Sequence, residues 1–408
     1  MDFIYICKLN TSTNPNTALM TKAPTQRYVA LDVLRGMTVA GMILVNNPGS
    51  WGHIFPPLRH AAWSGCTPTD LVFPFFLFCV GVAMAFSFAK YGDSINKESS
   101  RKLVVRGLLI FAVGLALNMF PFYPTSRNPE LTFGENYLIW LQNIRIFGVL
   151  QRIGLCYILG GFLALWLKRP KRILLGIAAV TVLHWLILWI FGGEPGWSTL
   201  EGNVASKIDI ALVGESHVYR GYGIPFDPEG LLGVLSGAGT VLLGYYIGQL
   251  IRSNESKINA VAKLYTIALI CLGLGRIWNV WLPINKPLWT GSYVIYTGGW
   301  AIMLFAFFIY FIDIKGKERY FTPFKAMGMN PLFAFVMAGV LVKLLGRVIT
   351  WTTAEGAKTS ALSWLYNTCC VSIFGNNEYA SLMHALIMVA IFLAMCMILY
   401  RKKIFIKI

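Results

Sequence analysis

Ten apolar stretches of about 20 residues each dominate this 408-residue chain. A helix of that length spans the hydrocarbon core of a bilayer, which is roughly 30 Å thick. Since 56% of the residues are hydrophobic, a water-soluble fold would expose too much apolar surface. We therefore predict an all-α polytopic membrane protein with ten transmembrane helices, at residues 29–48, 68–89, 103–121, 145–167, 173–192, 229–251, 258–279, 289–312, 324–346 and 381–400.

The first residues of the chain differ from the rest. A short apolar patch at 3–7 is too short for a signal-peptide core, and a polar stretch rich in Thr, Asn and Pro follows it. We predict a loosely ordered cytoplasmic tail over 1–27 and one transmembrane domain over 28–408. The apolar segment 361–374 is too short to cross a bilayer and is predicted to be a re-entrant or surface helix.

The distribution of lysine and arginine predicts the orientation of these spans. With a cytoplasmic amino terminus, the cytoplasmic segments hold 21 of the 35 basic residues, the opposite segments hold seven, and seven lie within or at the ends of spans. Basic residues accumulate on the cytoplasmic side of membrane proteins. Both termini are therefore predicted to be cytoplasmic, which requires an even number of spans.

Charge and cysteine content exclude several other classes of protein. The net charge of +17 comes from short basic clusters between apolar runs, a pattern that does not indicate nucleic-acid binding. The eight cysteines are scattered without metal-ligand spacing or a disulfide framework. We predict neither a metal site nor a nucleic-acid partner.

Charged residues inside or beside spans are functional hypotheses, because a charge in the bilayer is costly. Asp32 and Arg35 share one face of the first span, where an internal ion pair and a functional role are both open. Arg101, Lys102 and Arg106 crowd the cytoplasmic mouth of the third span. They either extend to lipid phosphates or bind an anionic cytosolic ligand.

The loop after the first span contains the strongest candidate for chemistry. His60 lies there between Arg59 and Trp63, and the carboxylate of Asp70 follows at the start of the next span. A histidine in an external loop is often only solvated. Histidine nevertheless titrates near neutral pH, which suits a general base or a nucleophile toward a thioester. Asp70 is the predicted partner that orients the imidazole.

Several motifs along nearly the whole chain resemble the heparan-alpha-glucosaminide N-acetyltransferase family. They are LDVLRG at 31–36, VN at 45–46, RHAAWSG at 59–65, DLVFPFFLF at 70–78, FGVLQRIG at 147–154, DPEGLLG at 227–233, LWTGSYV at 288–294, GMNPL at 328–332 and ILYRKKIFIKI at 398–408. The lysosomal members carry an additional luminal amino-terminal domain and a preceding span. The chain therefore resembles a compact prokaryotic form without that domain.

The resemblance implies a transferase that moves acetyl from cytosolic acetyl-CoA to the amine of a glucosamine-type amino sugar on the opposite side. The family's proposed catalytic histidine corresponds to His60, and the asparagine of its VN motif corresponds to Asn46. A basic cluster at the cytoplasmic side is then expected to bind the donor phosphates. Its members are Arg35, Arg101, Lys102 and Arg106.

The remaining expectations concern partners and alternatives. The resemblance implies a homodimer in a bacterial inner membrane, with membrane lipids, acetyl-CoA and an amino sugar as partners. Two other functions stay open from the residues. One is a membrane acyltransferase with a different cell-envelope acceptor, and the other is a solute permease whose intramembrane charges bind the solute.

Overall fold

All ten spans are present in the computed structural model, which describes residues 5–6, 28–89, 94–254, 256–354 and 356–407. Among those residues, ten helices are long and apolar enough to cross a membrane. The prediction of an all-α polytopic fold is therefore confirmed. The cytoplasmic placement of the termini stays a prediction.

The described residues form fifteen α-helices. They are α1 (Val29–Asn46), α2 (Val72–Phe88), α3 (Lys97–Met119), α4 (Phe133–Gln142), α5 (Val149–Leu167), α6 (Pro170–Phe191), α7 (Val204–Val213), α8 (Leu232–Ser253), α9 (Lys257–Trp278), α10 (Gly291–Phe308), α11 (Thr322–Met329), α12 (Pro331–Lys343), α13 (Ala361–Tyr366), α14 (Ser372–Phe374) and α15 (Glu378–Arg401). Short 3₁₀ turns are Pro56–Leu58, Pro68–Leu71, Glu215–His217 and Glu318–Phe321. Single π-helical turns are Ile309–Ile314, Leu344–Val348 and Asn367–Val371.

Four short strands form two small antiparallel pairs in the described part of the chain. They are β1 (Tyr5–Ile6), β2 (Thr350–Thr352), β3 (Lys358–Ser360) and β4 (Ile406–Lys407). β1 pairs with β4, and β2 pairs with β3 as a hairpin. The first pair joins segments near both ends of the chain.

Helix α8 is the most buried of the ten spans and forms the centre of the bundle. It crosses α2 at two glycines. A Cβ atom on Gly81 would lie 2.0 Å from the carbonyl oxygen of Val241, and one on Gly244 would lie 2.1 Å from that of Phe78. Because membrane helices associate by close packing, this reciprocal backbone contact needs the small residue on both sides.

The prediction of one continuous span over 324–346 is corrected by a break at Asn330. Proline at 331 lacks a backbone N–H and disfavours a helical conformation in the residue before it, so α11 ends and α12 begins there. The Asn330 side chain donates to the carbonyl of Ile404 at 3.1 Å and accepts from the N–H of Ile406 at 2.8 Å. The break thus anchors the segment that follows α15.

Two further predictions concern segments outside the bundle core. The apolar piece at 361–374 is helical and shorter than the ten spans, as its length predicts. The predicted tail, residues 1–27, lies outside the described residues except for β1. Its separation from a transmembrane domain over 28–408 stays a prediction.

Candidate active site

His60 and Asp70 form a hydrogen-bonded pair in the loop between α1 and α2. The Nδ1 atom of His60 lies 2.6 Å from Oδ1 of Asp70. The Asp70 side chain is 1% exposed, whereas that of His60 is 45% exposed. A carboxylate accepts but does not donate, so Nδ1 of the imidazole carries a proton, and in the neutral ring Nε2 keeps its lone pair. The pair therefore presents a basic nitrogen to solvent.

Asp70 is fixed by the fold of its own loop. Its second oxygen, Oδ2, accepts from the backbone N–H of Ala61 and of Thr67, each at 3.0 Å, and from the Thr67 hydroxyl at 3.0 Å. This capping box starts the turn Pro68–Leu71 that leads into α2. One residue thus closes the loop and holds the imidazole.

A lysine from the loop between α9 and α10 completes the group. The Nζ atom of Lys286 lies 3.4 Å from Oδ1 of Asp70, 3.1 Å from Nδ1 of His60 and 3.5 Å from Nε2 of His60. Burial lowers the pKa of Lys286, and the negative charges of Asp70 and Glu229 counteract only part of that effect. The charge of Lys286 is therefore lost at a lower pH than that of an exposed lysine.

Two loops pair to bring Lys286 and His60 together. The N–H of Gly65 donates to the carbonyl of Ile284 at 2.7 Å, and Ser64 forms an isolated bridge with Asn285. The Tyr293 hydroxyl, at the start of α10, donates to the Asp70 carbonyl at 2.5 Å. The contact between these loops is therefore built by the backbone.

An arginine clamped by two carboxylates forms the opposite wall. Arg145 donates to Asp227 at 2.9 and 2.7 Å and to Glu229 at 2.5 Å. Burial alone would lower the pKa of Arg145, but the hydrogen bonds and charges of these carboxylates raise it overall. Arg145 is therefore permanently charged and positioned.

These groups surround one cavity of about 280 Å³, which we call the histidine cavity. His60, Asp70 and Lys286 line one side, Arg145 and Glu229 line another, and aromatic surfaces of Tyr219, Tyr222 and Trp289 complete it. Charged and hydroxyl groups beside flat aromatic faces suit a polar ligand with an apolar side, such as a sugar ring.

A second cavity of about 320 Å³, here called the arginine cavity, lies toward the opposite end of the bundle. Arg35 and Arg106 line it together with mostly apolar side chains. Arg35 donates to the Gly328 carbonyl at 3.2 Å, and the guanidinium of Arg106 lies 5.3 Å from the ring centre of Tyr157. A cavity with apolar walls and two arginines fits a ligand that has both an apolar part and an anionic part.

The two cavities are lined by neighbouring residues of the same helices. On α5 the neighbouring residues Val149 and Leu150 line one cavity each. At the start of the second span, Asp70 lines the histidine cavity and Phe76 the arginine cavity. Six residues of helix rise about 9 Å. A flexible arm entering from the arginine cavity has only about that distance to cover.

The structure separates some residues that the sequence grouped. Asn46 is exposed and lines a third cavity with Lys343, not the histidine cavity. Arg101 and Lys102 are not among the residues that line the arginine cavity. The predicted roles of Asn46 in catalysis and of Arg101 and Lys102 in donor binding stay predictions.

Cys66 lies in the same loop as His60 and Asp70. Burial, with a smaller contribution from Asp70, raises the pKa of Cys66 to about 12, so its thiolate is scarce at neutral pH. Within the described ranges, no three His, Cys, Asp or Glu side chains lie together as a metal site would require.

Sequence reasoning missed the part that three charged residues play in the site. Arg145 and Lys286 were visible only as charges near the motifs at 147–154 and 288–294, and Glu229 lies inside the motif at 227–233. The motif at 398–408 was noted, but not that its Ile406 lines the arginine cavity. Charged residues in or beside these motifs were the available signal.

Comparison with known proteins supports the predicted resemblance. The model of the family "Heparan-alpha-glucosaminide N-acetyltransferase, catalytic" matches residues 27–201. The human protein named heparan-alpha-glucosaminide N-acetyltransferase is 26% identical over 365 residues, which cover 76% of this chain and 52% of the human chain. The mouse protein of the same name is 27% identical over 380 residues, 78% of this chain and 54% of the relative. The chain thus spans about half the length of these relatives.

The family match covers only part of the candidate site. His60, Asp70 and Arg106 fall within the matched residues 27–201, whereas Glu229 and Lys286 fall outside them. The alignments with the two relatives extend over about three quarters of this chain. The predicted resemblance to this family is confirmed.

Proposed function

We propose that this chain, which is similar to the heparan-alpha-glucosaminide N-acetyltransferases over most of its length, is itself a membrane N-acetyltransferase. It transfers acetyl from acetyl-CoA to the amine of a glucosamine-type amino sugar. The observation that carries the proposal is that α5 and the second span each line both cavities, with His60 in one cavity and two arginines in the other.

The donor is proposed to enter through the arginine cavity. Acetyl-CoA carries its phosphates at one end and its thioester at the end of a long flexible arm. Arg35 and Arg106 provide cations for the phosphates, and charge-assisted hydrogen bonds to phosphate are strong. The apolar walls then accommodate the arm, so the thioester arrives beside the histidine cavity.

His60 is proposed to perform the chemistry through Nε2. In the transfer, the acceptor nitrogen bonds to the acetyl carbon, the carbon–sulfur bond breaks, and the released thiolate takes up a proton. His60 serves as the base that removes the proton from the amine, or it accepts the acetyl group first and passes it on. Asp70 orients the imidazole in either route, because it holds Nδ1.

The oxygen of the attacked thioester gains negative charge and needs a donor. Lys286 is the cation that lies beside His60, so we propose it for this role. The same role for Asn46 rests on the resemblance alone, since Asn46 lines another cavity. Arg145 and Glu229 face the acceptor and are proposed to position it.

Two alternatives keep specific support. An acyltransferase with another cell-envelope acceptor would use the same donor cavity and His60. A permease would explain charges within spans, such as Arg35 and Asp32 3.8 Å apart, without acetyl transfer. Transfer of labelled acetyl by purified protein separates the enzymes from the permease, and a panel of acceptor sugars separates the enzymes from each other.

The cellular setting is also a proposal. The resemblance favours a multi-pass protein of a bacterial inner membrane, with both termini cytoplasmic and a homodimeric assembly. The 21 cytoplasmic basic residues against seven on the opposite side support the orientation.

The donor proposal is tested by replacing Arg106. We expect Arg106→Gln to raise the KM for acetyl-CoA about tenfold, the effect of losing about 1.4 kcal/mol. The KM for the amino sugar should not change, because that substrate binds in the histidine cavity. Purified protein, labelled acetyl-CoA and glucosamine give both constants in one assay.

Arg101 offers a matched control on the same helix. It is exposed and does not line the arginine cavity, so Arg101→Gln should leave both constants nearly unchanged. An equal rise in KM for both variants would indicate general attraction of the anionic donor to surface charge. An unchanged KM for acetyl-CoA in Arg106→Gln would favour the other interpretation, in which Arg106 contacts lipid phosphates.

A further inference from the structure

A third cavity, of about 400 Å³, lies at the end of the bundle that carries His60. It is formed by α1, the end of α3 and α12 with its π-helical turn, and we call it the lysine groove. None of the residues lining it is acidic, whereas two, Lys343 and Arg347, are basic. The groove therefore has a net positive charge.

Lys343 is already positioned for a ligand. Its Nζ atom donates to the carbonyl oxygens of Leu117 and Asn118, at 2.5 and 3.3 Å, where α3 ends. These contacts use two of the three ammonium donors and fix the side chain. The third donor is available to an anion in the groove.

Arg347 follows Lys343 by four residues and is exposed. Within the described part of the chain it has no hydrogen bond or ion pair to another side chain. Its planar guanidinium matches two oxygens of a phosphate. Lys343 thus offers a fixed contact to an anionic group, and Arg347 offers one that can adapt to it.

The remaining walls are apolar. Phe335, Ala338 and Val342 line the groove from α12, and α12 belongs to the least buried of the ten spans. A helix with so little protein around it faces the hydrocarbon of the bilayer. Cations at the end of a lipid-facing apolar groove match an amphiphile with an anionic head and an acyl chain.

We propose that the lysine groove is a binding site for an anionic phospholipid, whose phosphate contacts Lys343 and Arg347. Its acyl chain lies along α12 past Phe335. The lysine groove shares no lining residue with the donor and acceptor cavities, although Asn46 lines it. Lipid binding is argued from Lys343 and Arg347 alone, so the proposal does not depend on the proposed transferase activity.

The groove is connected to the histidine cavity through Asn118. The backbone carbonyl of Asn118 accepts from Lys343, and its side chain donates to the carbonyls of Arg145 and Phe147 at 2.9 and 3.1 Å. Arg145 lines the histidine cavity. A lipid held by Lys343 therefore stabilises the end of α3 that supports one wall of that cavity.

The test measures binding of dioleoylphosphatidylglycerol to the delipidated purified protein in detergent. We expect Arg347→Gln to weaken binding about fivefold, since one basic residue near a membrane surface contributes about 1 kcal/mol to attraction of anionic lipid. Lys343→Met should weaken it further. Melting temperatures identify any variant whose fold is damaged, and Arg347, being exposed, is the safer position.

Arg220 is the matched control, because it is an exposed arginine predicted on the same side and pairs with Glu215 at 3.3 Å. Arg220→Gln should bind the lipid as the unchanged protein does. Equal affinity in Arg347→Gln and the unchanged protein would overturn the proposal. Displacement of the lipid by millimolar inorganic phosphate would identify a site for free anions and would also overturn the lipid assignment.

Discussion

Replacing His60 with alanine is expected to reduce acetyl transfer to glucosamine by about 10²–10⁴-fold, the usual contribution of a general acid–base group. If His60 carries the acetyl group itself, the loss should lie at or beyond the upper end of that range. Acetyl-CoA binding should be unchanged, because the donor phosphates are proposed to bind at Arg35 and Arg106. Transfer kinetics and equilibrium donor binding on the same preparation measure both quantities.

His53 is a suitable control for this substitution. It lies in the same loop but lines a separate small cavity of about 20 Å³ with Pro48 and Phe55. His53→Ala should therefore retain turnover close to that of the unchanged protein. A folded His60→Ala variant with normal turnover would remove His60 from the mechanism. If the His60→Ala variant no longer bound acetyl-CoA, His60 would be a binding contact for the thioester and not the group that performs the transfer.

Replacing Asp70 with asparagine is expected to lower turnover by on the order of 10³–10⁴-fold. The asparagine amide turns its NH₂ group toward His60 and selects the tautomer that is protonated on Nε2, so Nε2 is no longer a base. The corresponding substitution in the Ser-His-Asp triad lowers the rate about 10⁴-fold for this reason. The KM for acetyl-CoA should change little.

Thr67→Val separates orientation of the imidazole from closure of the loop. It removes the hydroxyl, which lies 3.0 Å from Oδ2 of Asp70 and 2.7 Å from the carbonyl oxygen of Arg59, but leaves the carboxylate and its contact with His60. We expect turnover to fall by less than about tenfold, as for loss of one hydrogen bond. Turnover near the unchanged value in a folded Asp70→Asn variant would reduce Asp70 to a helix cap.

Much of the fold was predictable because the bilayer imposes length and hydropathy on every span. The break at Asn330 was not predicted. The residues on both sides of it are apolar, so the hydropathy pattern runs through the break without interruption. The following Pro331 was the available sign, because proline disfavours helix in the residue before it.

The part of the candidate site that lies in the loop between α1 and α2 was also predictable. His60 and Asp70 are ten residues apart in one loop, so their contact needs only a local turn. Lys286 lies 226 residues away from His60, and its approach depends on the pairing of two loops. No local pattern encodes that pairing, which is why sequence reasoning missed the lysine.

Helical spacing does not explain the division within the basic cluster of α3. Residues four apart share a face of a helix, so Lys102 and Arg106 lie on the same face. Only Arg106 lines the arginine cavity, whereas Arg101 and Lys102 do not. The position of a residue along the helix therefore matters as well as its face.

The central claim is that acetyl crosses the membrane from a donor on one side to an acceptor on the other. Sealed vesicles containing the protein in one known orientation test it directly, with acetyl-CoA supplied only at the predicted cytoplasmic face and glucosamine only at the opposite face. The account predicts N-acetylglucosamine on the glucosamine side and almost none with His60→Ala. Product that forms only when both substrates share the cytoplasmic face would contradict it.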